Sequence, residues 1–169
     1  MELPHHWRYE KILTLDAARE KADSLRNAGK IIVTVNGSFD LLQAGHLDFL
    51  EEAKQQGDVL MVGINTDESI KAKKGDSRPI IPQEQRAALL AALICVDYVV
   101  IMEGAYDNEP HGSYLPVIRP NIHVNGEEYG QIESWVEYSV MQEIGAKPYQ
   151  VRRRPNLSTT EIIEKIKNI

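Results

Sequence analysis

The segment Asn36-Gly37-Ser38-Phe39-Asp40-Leu41-Leu42-Gln43-Ala44-Gly45-His46 holds the residue types that can cradle a phosphate. Gly37 and Gly45 let a backbone approach a ligand closely, and a helix beginning near Gly45 would turn its unpaired N–H groups toward an anion. His46 then points at that anion, or it is an ordinary cap at an exposed helix start. Likewise Asp40 could cap a turn and Phe39 could belong to the core. A second helix-start signal, Ser158-Thr159-Thr160-Glu161, is a capping box ahead of Ile162, Ile163 and Ile166. Its hydroxyls suit a phosphate, and they equally suit a helix that binds nothing. Basic residues gather at Lys71, Lys73, Lys74 and Arg78, and again at Arg152 to Arg154, against a net charge of −6 from 19 basic and 25 acidic residues. The overall sign argues against a nucleic-acid backbone as partner, so an anion must be bound locally.

Six stretches rich in Val, Ile and Leu alternate with segments of helical period, the pattern of a parallel sheet covered by helices. Strands are predicted over 31–35, 59–64, 98–102, 122–124 and 148–151. Helices are predicted over 14–28, with Thr14 as N-cap and Gly29 past the end, over 45–57, over 83–93 behind Pro82, over 132–144, and after Ser158. A polar, basic loop separates the second strand from Pro82, and 103–120 reads as a loop with one short helix. The first strand leads straight into Asn36, so the glycines and His46 are expected at the carboxyl edge of the sheet, where ligands of α/β folds bind at the reversal of strand order. With no repeat and no dividing linker, residues 1–169 are expected to form a single α/β domain of about five parallel strands with helices on both faces, and 1–30 a helical extension of it. The composition is 43% hydrophobic and 26% charged. No apolar run approaches the roughly 20 residues of a membrane span, so no membrane partner is expected. The first ten residues lack the apolar stretch of a signal peptide, and the lone Cys95 lies in the apolar segment 87–100, where burial is expected. Both features favour the cytoplasm.

Taken in order, these residues resemble the cytidylyltransferase-like nucleotidyltransferases. Residues 36–46 are similar to that family's Asn-Gly-x-Phe-Asp-x-x-His-x-Gly-His element, and Lys74-Gly75-x-x-Arg78-Pro79, Glu84-x-Arg86 and Ser158-Thr159-Thr160 follow as they do in the family. The resemblance is nearest to the D-glycero-β-D-manno-heptose 1-phosphate adenylyltransferases, through Asn65-x-Asp67, Val96-Asp97-Tyr98-Val99 and Gly126-x-x-Tyr129. It implies a Rossmann-like fold, a homodimer, and a reaction in which a sugar 1-phosphate attacks the α-phosphorus of ATP and pyrophosphate leaves without a covalent enzyme intermediate. Such chemistry needs positioning and charge neutralisation more than a nucleophile.

The same resemblance implies catalytic roles for His46, Gln43 and Lys74. It implies nucleotide contacts from Gly37, Ser38, Phe39, Asp40, Gly45, Arg86, Asn125, Gly126, Ser158, Thr159 and Thr160, and substrate contacts from Asn65, Asp67, Arg78, Glu128 and Tyr129. Magnesium is expected to come with the triphosphate rather than to sit in a metal site of the protein. Two positions differ from the family: Gln43 replaces the first histidine of the element, and Asn125 stands where the heptose enzymes carry lysine. Glutamine still donates a hydrogen bond but cannot become cationic. CTP-dependent transfer to glycerol 3-phosphate or a similar small phosphate is an alternative, as is a nucleotide-binding protein with reduced catalysis. The turn after the first strand lacks Gly-x-Gly-x-x-Gly, which argues against a dinucleotide dehydrogenase, and the chain has no P-loop motif.

Overall fold

Strands buried on both faces read as nearly continuous apolar runs, and the run from Val59 to Ile64 is the deepest of them in the computed structural model, which describes residues 6–102, 114–152 and 159–169. Six strands form one sheet: β1 (Ile12–Leu13), β2 (Ile32–Gly37), β3 (Val59–Asn65), β4 (Tyr98–Met102), β5 (Ile122–Gly126) and β6 (Lys147–Val151). Their order is β1-β4-β3-β2-β5-β6, and every pair is parallel. The five predicted strands are present; the sixth, β1, adds two residues beside β4 and is too short to show a period in the sequence. Successive connections run outward from β2 in opposite directions, to β3 on one side and β5 on the other. The strand order therefore reverses between β2 and β5.

Each face of the sheet has its own core. Val33, Val35, Leu60, Val62, Ile64 and Val124 face α2 (Ala44–Lys54) and α4 (Gln83–Ala91), which contribute Leu50, Ala53, Ala87 and Leu90. Ile32, Met61, Val100 and Met102 face α1 (Leu15–Asn27), α5 (Leu115–Ile118) and α6 (Tyr138–Ile144), through Ala18, Ala22, Leu115, Ile118, Val140 and Met141. Burial of each large side chain in these layers stabilises the fold by roughly 1.5–3 kcal/mol. Residues 6–30 contribute β1 as well as α1, after a 3-10 turn at Trp7–Lys11. Cys95 is half-buried, and desolvation raises its thiol pKa.

Three boundaries differ from expectation. The basic stretch after β3 is not all loop, since α3 (Asp67–Lys74) occupies its first half. Thr66 caps that helix by accepting a bond from the Ser69 N–H at 3.2 Å, while Asp67 and Glu68 at its start and Lys71, Lys73 and Lys74 at its end match the helix dipole. Only Ser69 and Ile70 are buried, so no apolar stripe marked it. The helix expected over 132–144 is instead a 3-10 turn, Ile132–Ser134, and then α6, interrupted where Trp135 turns into the core; α6 ends at Gly145 with φ 74°, as the sequence suggested. Pro82 is the N-cap of α4 and not a residue of its first turn. Helix α7 (Thr159–Lys167) closes the chain. Ser158 and its half of the capping box lie outside the described residues, as do 103–113 in the expected loop.

Beneath the carboxyl edge of the sheet, His123 is completely buried, and its Nδ1 shares a 2.9 Å hydrogen bond with the Thr34 hydroxyl. Burial pushes its pKa down to about 4, opposed by the charge of Glu137 and by a hydrogen bond to the Thr34 backbone. The folded protein thus holds a neutral ring, whereas the unfolded chain takes up a proton below 6.5. Stability is expected to fall as pH drops from 6.5 to 4, by on the order of 3 kcal/mol from this residue. Urea unfolding at pH 7.5 and 4.5 checks this: His123→Asn, which can keep the bond to Thr34, should lose less than the wild type on acidification, and an equal loss would contradict it.

Candidate active site

Gln43 ends the loop after β2 and starts α2. Its Oε1 accepts the Gly45 N–H at 2.6 Å, and the Nδ1 of His46 accepts the N–H of Gln43 at 3.3 Å, a reciprocal cap. With Nδ1 accepting, the neutral imidazole carries its proton on Nε2. Burial lowers the pKa of His46; the Leu41 carbonyl opposes this, and the nearby charge of Lys74 lowers it further. His46 therefore stays a neutral N–H donor at pH 7. The Phe39 ring meets it edge-on with centroids 5.4 Å apart. Phe39 adopts φ 46°, an unusual value for a side chain of its size, and a Cβ on Gly37 would stand 3.1 Å from its ring. Glycine at 37 is what lets the phenyl ring fold back beneath the loop.

The rest of the loop is fastened from outside. Asp40, 2% exposed, accepts from Arg78 Nε at 2.6 Å and from the N–H groups of Ile80 and Ile81 at 2.8 and 2.9 Å. Lys74, at the last turn of α3, donates to the Ser38 hydroxyl at 3.1 Å. Thr159, the first residue of α7, donates to the Leu41 carbonyl at 3.4 Å. A helix C-terminus carrying a lysine and a helix N-terminus thus meet on one glycine-bearing loop.

Around that loop opens a cleft of about 760 Å³. Of the predicted residues, Gly37, Ser38, Phe39, Asp40, Gln43, Gly45, His46, Lys74, Arg78, Gly126, Glu128, Tyr129 and Thr159 line it. Four do not. Arg86 is fully buried beneath the loop and donates to the carbonyls of Ser38, Ile81 and Asn65 and, at 2.7 Å, to the Asp67 carboxylate. Asn65 and Asp67 are thereby its partners, and the structure makes this set a brace under the cleft. Asn125, 1% exposed, faces the opposite side of the sheet, toward Glu137. Ser158 is outside the described residues, and of Thr160 only the backbone, in α7, is described.

Sequence reasoning missed one wall. Asp48, Glu51, Glu52 and Gln55 line the cleft from α2, at the i, i+3, i+4, i+7 spacing of one helix face, and Tyr149 and Val151 line it from alternate positions of β6. The Tyr149 hydroxyl donates to Glu52 at 3.1 Å, which raises the phenol pKa. Continuing the predicted α2 past Leu47, Leu50 and Ala53 to its polar face would have revealed that wall. The cleft lining carries both signs as a result: Lys74 and Arg78 beside the β2 loop, Arg152 just after β6, and the carboxylates of Asp48, Glu51 and Glu52 on α2.

The cytidylyltransferase-like family model matches residues 34–165, which is the loop, the cleft and most of α7. The chain belongs to that family. Among its relatives, the bifunctional protein HldE of Syntrophotalea carbinolica is 38% identical over 92% of this chain and 31% of that protein. HldE of Helicobacter pylori strain 26695 is 40% identical over 94% of this chain and 32% of its own length. The chain thus spans under a third of the length of these curated relatives. A lipopolysaccharide core biosynthesis protein from Thermoplasma volcanium superposes with TM-score 0.58 at 28% identity, over 75% of this chain and 98% of that one. A pantoate-beta-alanine ligase from Francisella tularensis, 19% identical with TM-score 0.61 over 94% of this chain and 78% of that one, shares the fold.

Histidine in place of Gln43 can still accept the Gly45 N–H through a ring nitrogen, so Gln43→His is expected to keep α2 intact and to leave kcat within about threefold of wild type, or above it. Steady-state kinetics check this, and a loss beyond tenfold would give glutamine a role of its own.

Proposed function

We propose that the chain transfers the nucleoside monophosphate of ATP to a sugar phosphate, with heptose 1-phosphate the preferred acceptor. An oxygen of the acceptor phosphate bonds to the α-phosphorus as the bond to the departing pyrophosphate breaks, in line and with no covalent enzyme intermediate. The observation that carries this reading is the convergence of His46, Lys74 and the start of α7 on the Gly37–Gly45 loop, at the reversal of strand order. His46 Nε2–H and the Lys74 ammonium donate to phosphate oxygens and offset the charge that grows in the transition state. The α7 N-terminus, with Thr159, holds the β and γ phosphates. Gln43 acts through the cap that aims His46, and Arg86 through the brace under Ser38. Gly126, Glu128 and Tyr129, across the cleft, receive the nucleoside or the sugar.

Magnesium enters with the triphosphate in this reading. Magnesium of this kind is held mainly by phosphate oxygens and water, and the carboxylate of Asp40 is already engaged by Arg78 and two backbone groups. No helix among the described residues is long and apolar enough to cross a membrane. A cytoplasmic homodimer completes the proposal; exposed Trp7, Leu89 and Ile94 offer apolar surface for it, and sedimentation velocity tests it. Calorimetry with ATP and with CTP, each with magnesium, tests the nucleotide: tighter binding of ATP is expected, and exclusive binding of CTP would replace adenylyl by cytidylyl transfer.

A further inference from the structure

The two halves of the cleft are built on strands that part company. Strand β2 stays paired with β3 as far as Gly37↔Ile64, and β5 stays paired with β6 as far as Gly126↔Val151. Between β2 and β5, however, the ladder ends at Val35↔Val124, one residue before Asn36 and Asn125. Beyond that point lie Gly37 with the phosphate loop on one side and Gly126 with Glu128 and Tyr129 on the other. The opening of the sheet creates the crevice, and it leaves the crevice walls without backbone bonds between them.

Glu137 spans the gap. It is the N-cap residue of α6, and its carboxylate takes one amide from each side: Asn36 Nδ2 donates to Oε1 at 3.0 Å and Asn125 Nδ2 donates to Oε2 at 3.3 Å. The two asparagines hold equivalent places, each directly before the glycine that enters the cleft. A carboxylate has two acceptor oxygens in a fixed fork, so a single side chain fixes both amides at a set separation. His123 and Thr34 lie one pleat below on the same face, joined to each other and not to Glu137 by hydrogen bonds, so this carboxylate is the side-chain tie at the level of the glycines.

We infer that Glu137 is a positioning residue, which sets the distance between the phosphate loop at Gly37 and the Gly126–Tyr129 loop and so aligns the two reactants. The inference rests on the proposed function for its kinetic consequence, while its structural part can be read without any substrate. Misplacement of reacting groups by about 1 Å costs up to roughly 10²-fold in rate. Glu137→Ala is therefore expected to lower kcat by about tenfold to a hundredfold, with the melting temperature lowered by up to roughly 10 °C because two amides lose their acceptor, and the kinetic loss should persist at temperatures where the variant is fully folded. Glu137→Gln should recover to within about threefold, because one asparagine amide can turn over and let the new side chain pair with both. Asn125→Ala added to Glu137→Ala should cost less than about twofold more, since the tie is already cut. In the protein without ligand, the backbone amide resonances of both Gly37 and Gly126 should shift in Glu137→Ala and return in Glu137→Gln. Unmoved glycine resonances, or Asn125→Ala and Glu137→Ala losses that multiply, would overturn the inference. Should the wild type bind nucleotide yet release no pyrophosphate, the proposed function fails, and the glycine resonances still decide the role of Glu137.

Discussion

His46→Ala is expected to fold normally and to lose about two to three orders of magnitude in kcat. The ring is half-buried at a helix start and touches the apolar core at the Phe39 ring, so its removal costs the fold one edge-on ring contact and one side of the α2 cap. In the proposed reaction its Nε2–H, by contrast, is a donor to the phosphates, and loss of one such donor costs about 2.7–4 kcal/mol in the transition state. The pKa of His46, lowered by burial and by Lys74, adds a second expectation: the neutral ring, whose Nδ1 must stay unprotonated to accept the Gln43 N–H, persists below the usual histidine value, so wild-type kcat holds as pH falls to 6.5 and declines only at lower pH, where protonation breaks the cap. A pH profile of pyrophosphate release, with a melting curve for the variant, checks both. A variant that turns over normally would remove His46 from the chemistry, and one that melts early would make it a structural cap.

Arg86→Met has the largest expected effect on stability, about 3–5 kcal/mol. Removing a wholly buried guanidinium leaves Asp67 and the carbonyls of Ser38, Ile81 and Asn65 without their donor, and breaking a buried pair from one side carries that order of cost. In a chain of this length the loss corresponds to roughly 10 °C in melting temperature. Activity at low temperature should fall as well, because the Ser38 carbonyl that Arg86 holds belongs to the loop proposed to bind phosphate. Thermal melts with and without ATP test this. Unchanged stability with lost nucleotide binding would instead return Arg86 to direct contact with phosphate.

The contrast between His46 and Arg86 shows what the sequence made legible. His46 sits beside two glycines, after a strand and at a helix start, and local chemistry alone points at an anion. Arg86 belongs to an ordered motif, but whether a motif arginine touches ligand or braces the loop below it depends on burial, which residue type does not reveal. The strands were legible because Val and Ile buried on both faces leave continuous runs; β1 escaped because two residues make no pattern. Helix α3 escaped because a helix with two buried residues has no apolar stripe, although Thr66 and its acidic first turn were there to be read. The tie at Glu137 was invisible for a different reason. Asn36, Asn125 and Glu137 are separated by up to 101 positions and meet only because β2 and β5 are neighbours at the reversal of strand order.

The most direct test of the account is pyrophosphate release by the purified protein with magnesium, with ATP and CTP each crossed against heptose 1-phosphate and glycerol 3-phosphate. Release is expected with ATP and heptose 1-phosphate together, and little with either alone or with the other pairings. Release confined to CTP and glycerol 3-phosphate would contradict the assigned substrates, and tight ATP binding with no release from any pair would contradict the assigned transfer to these acceptors.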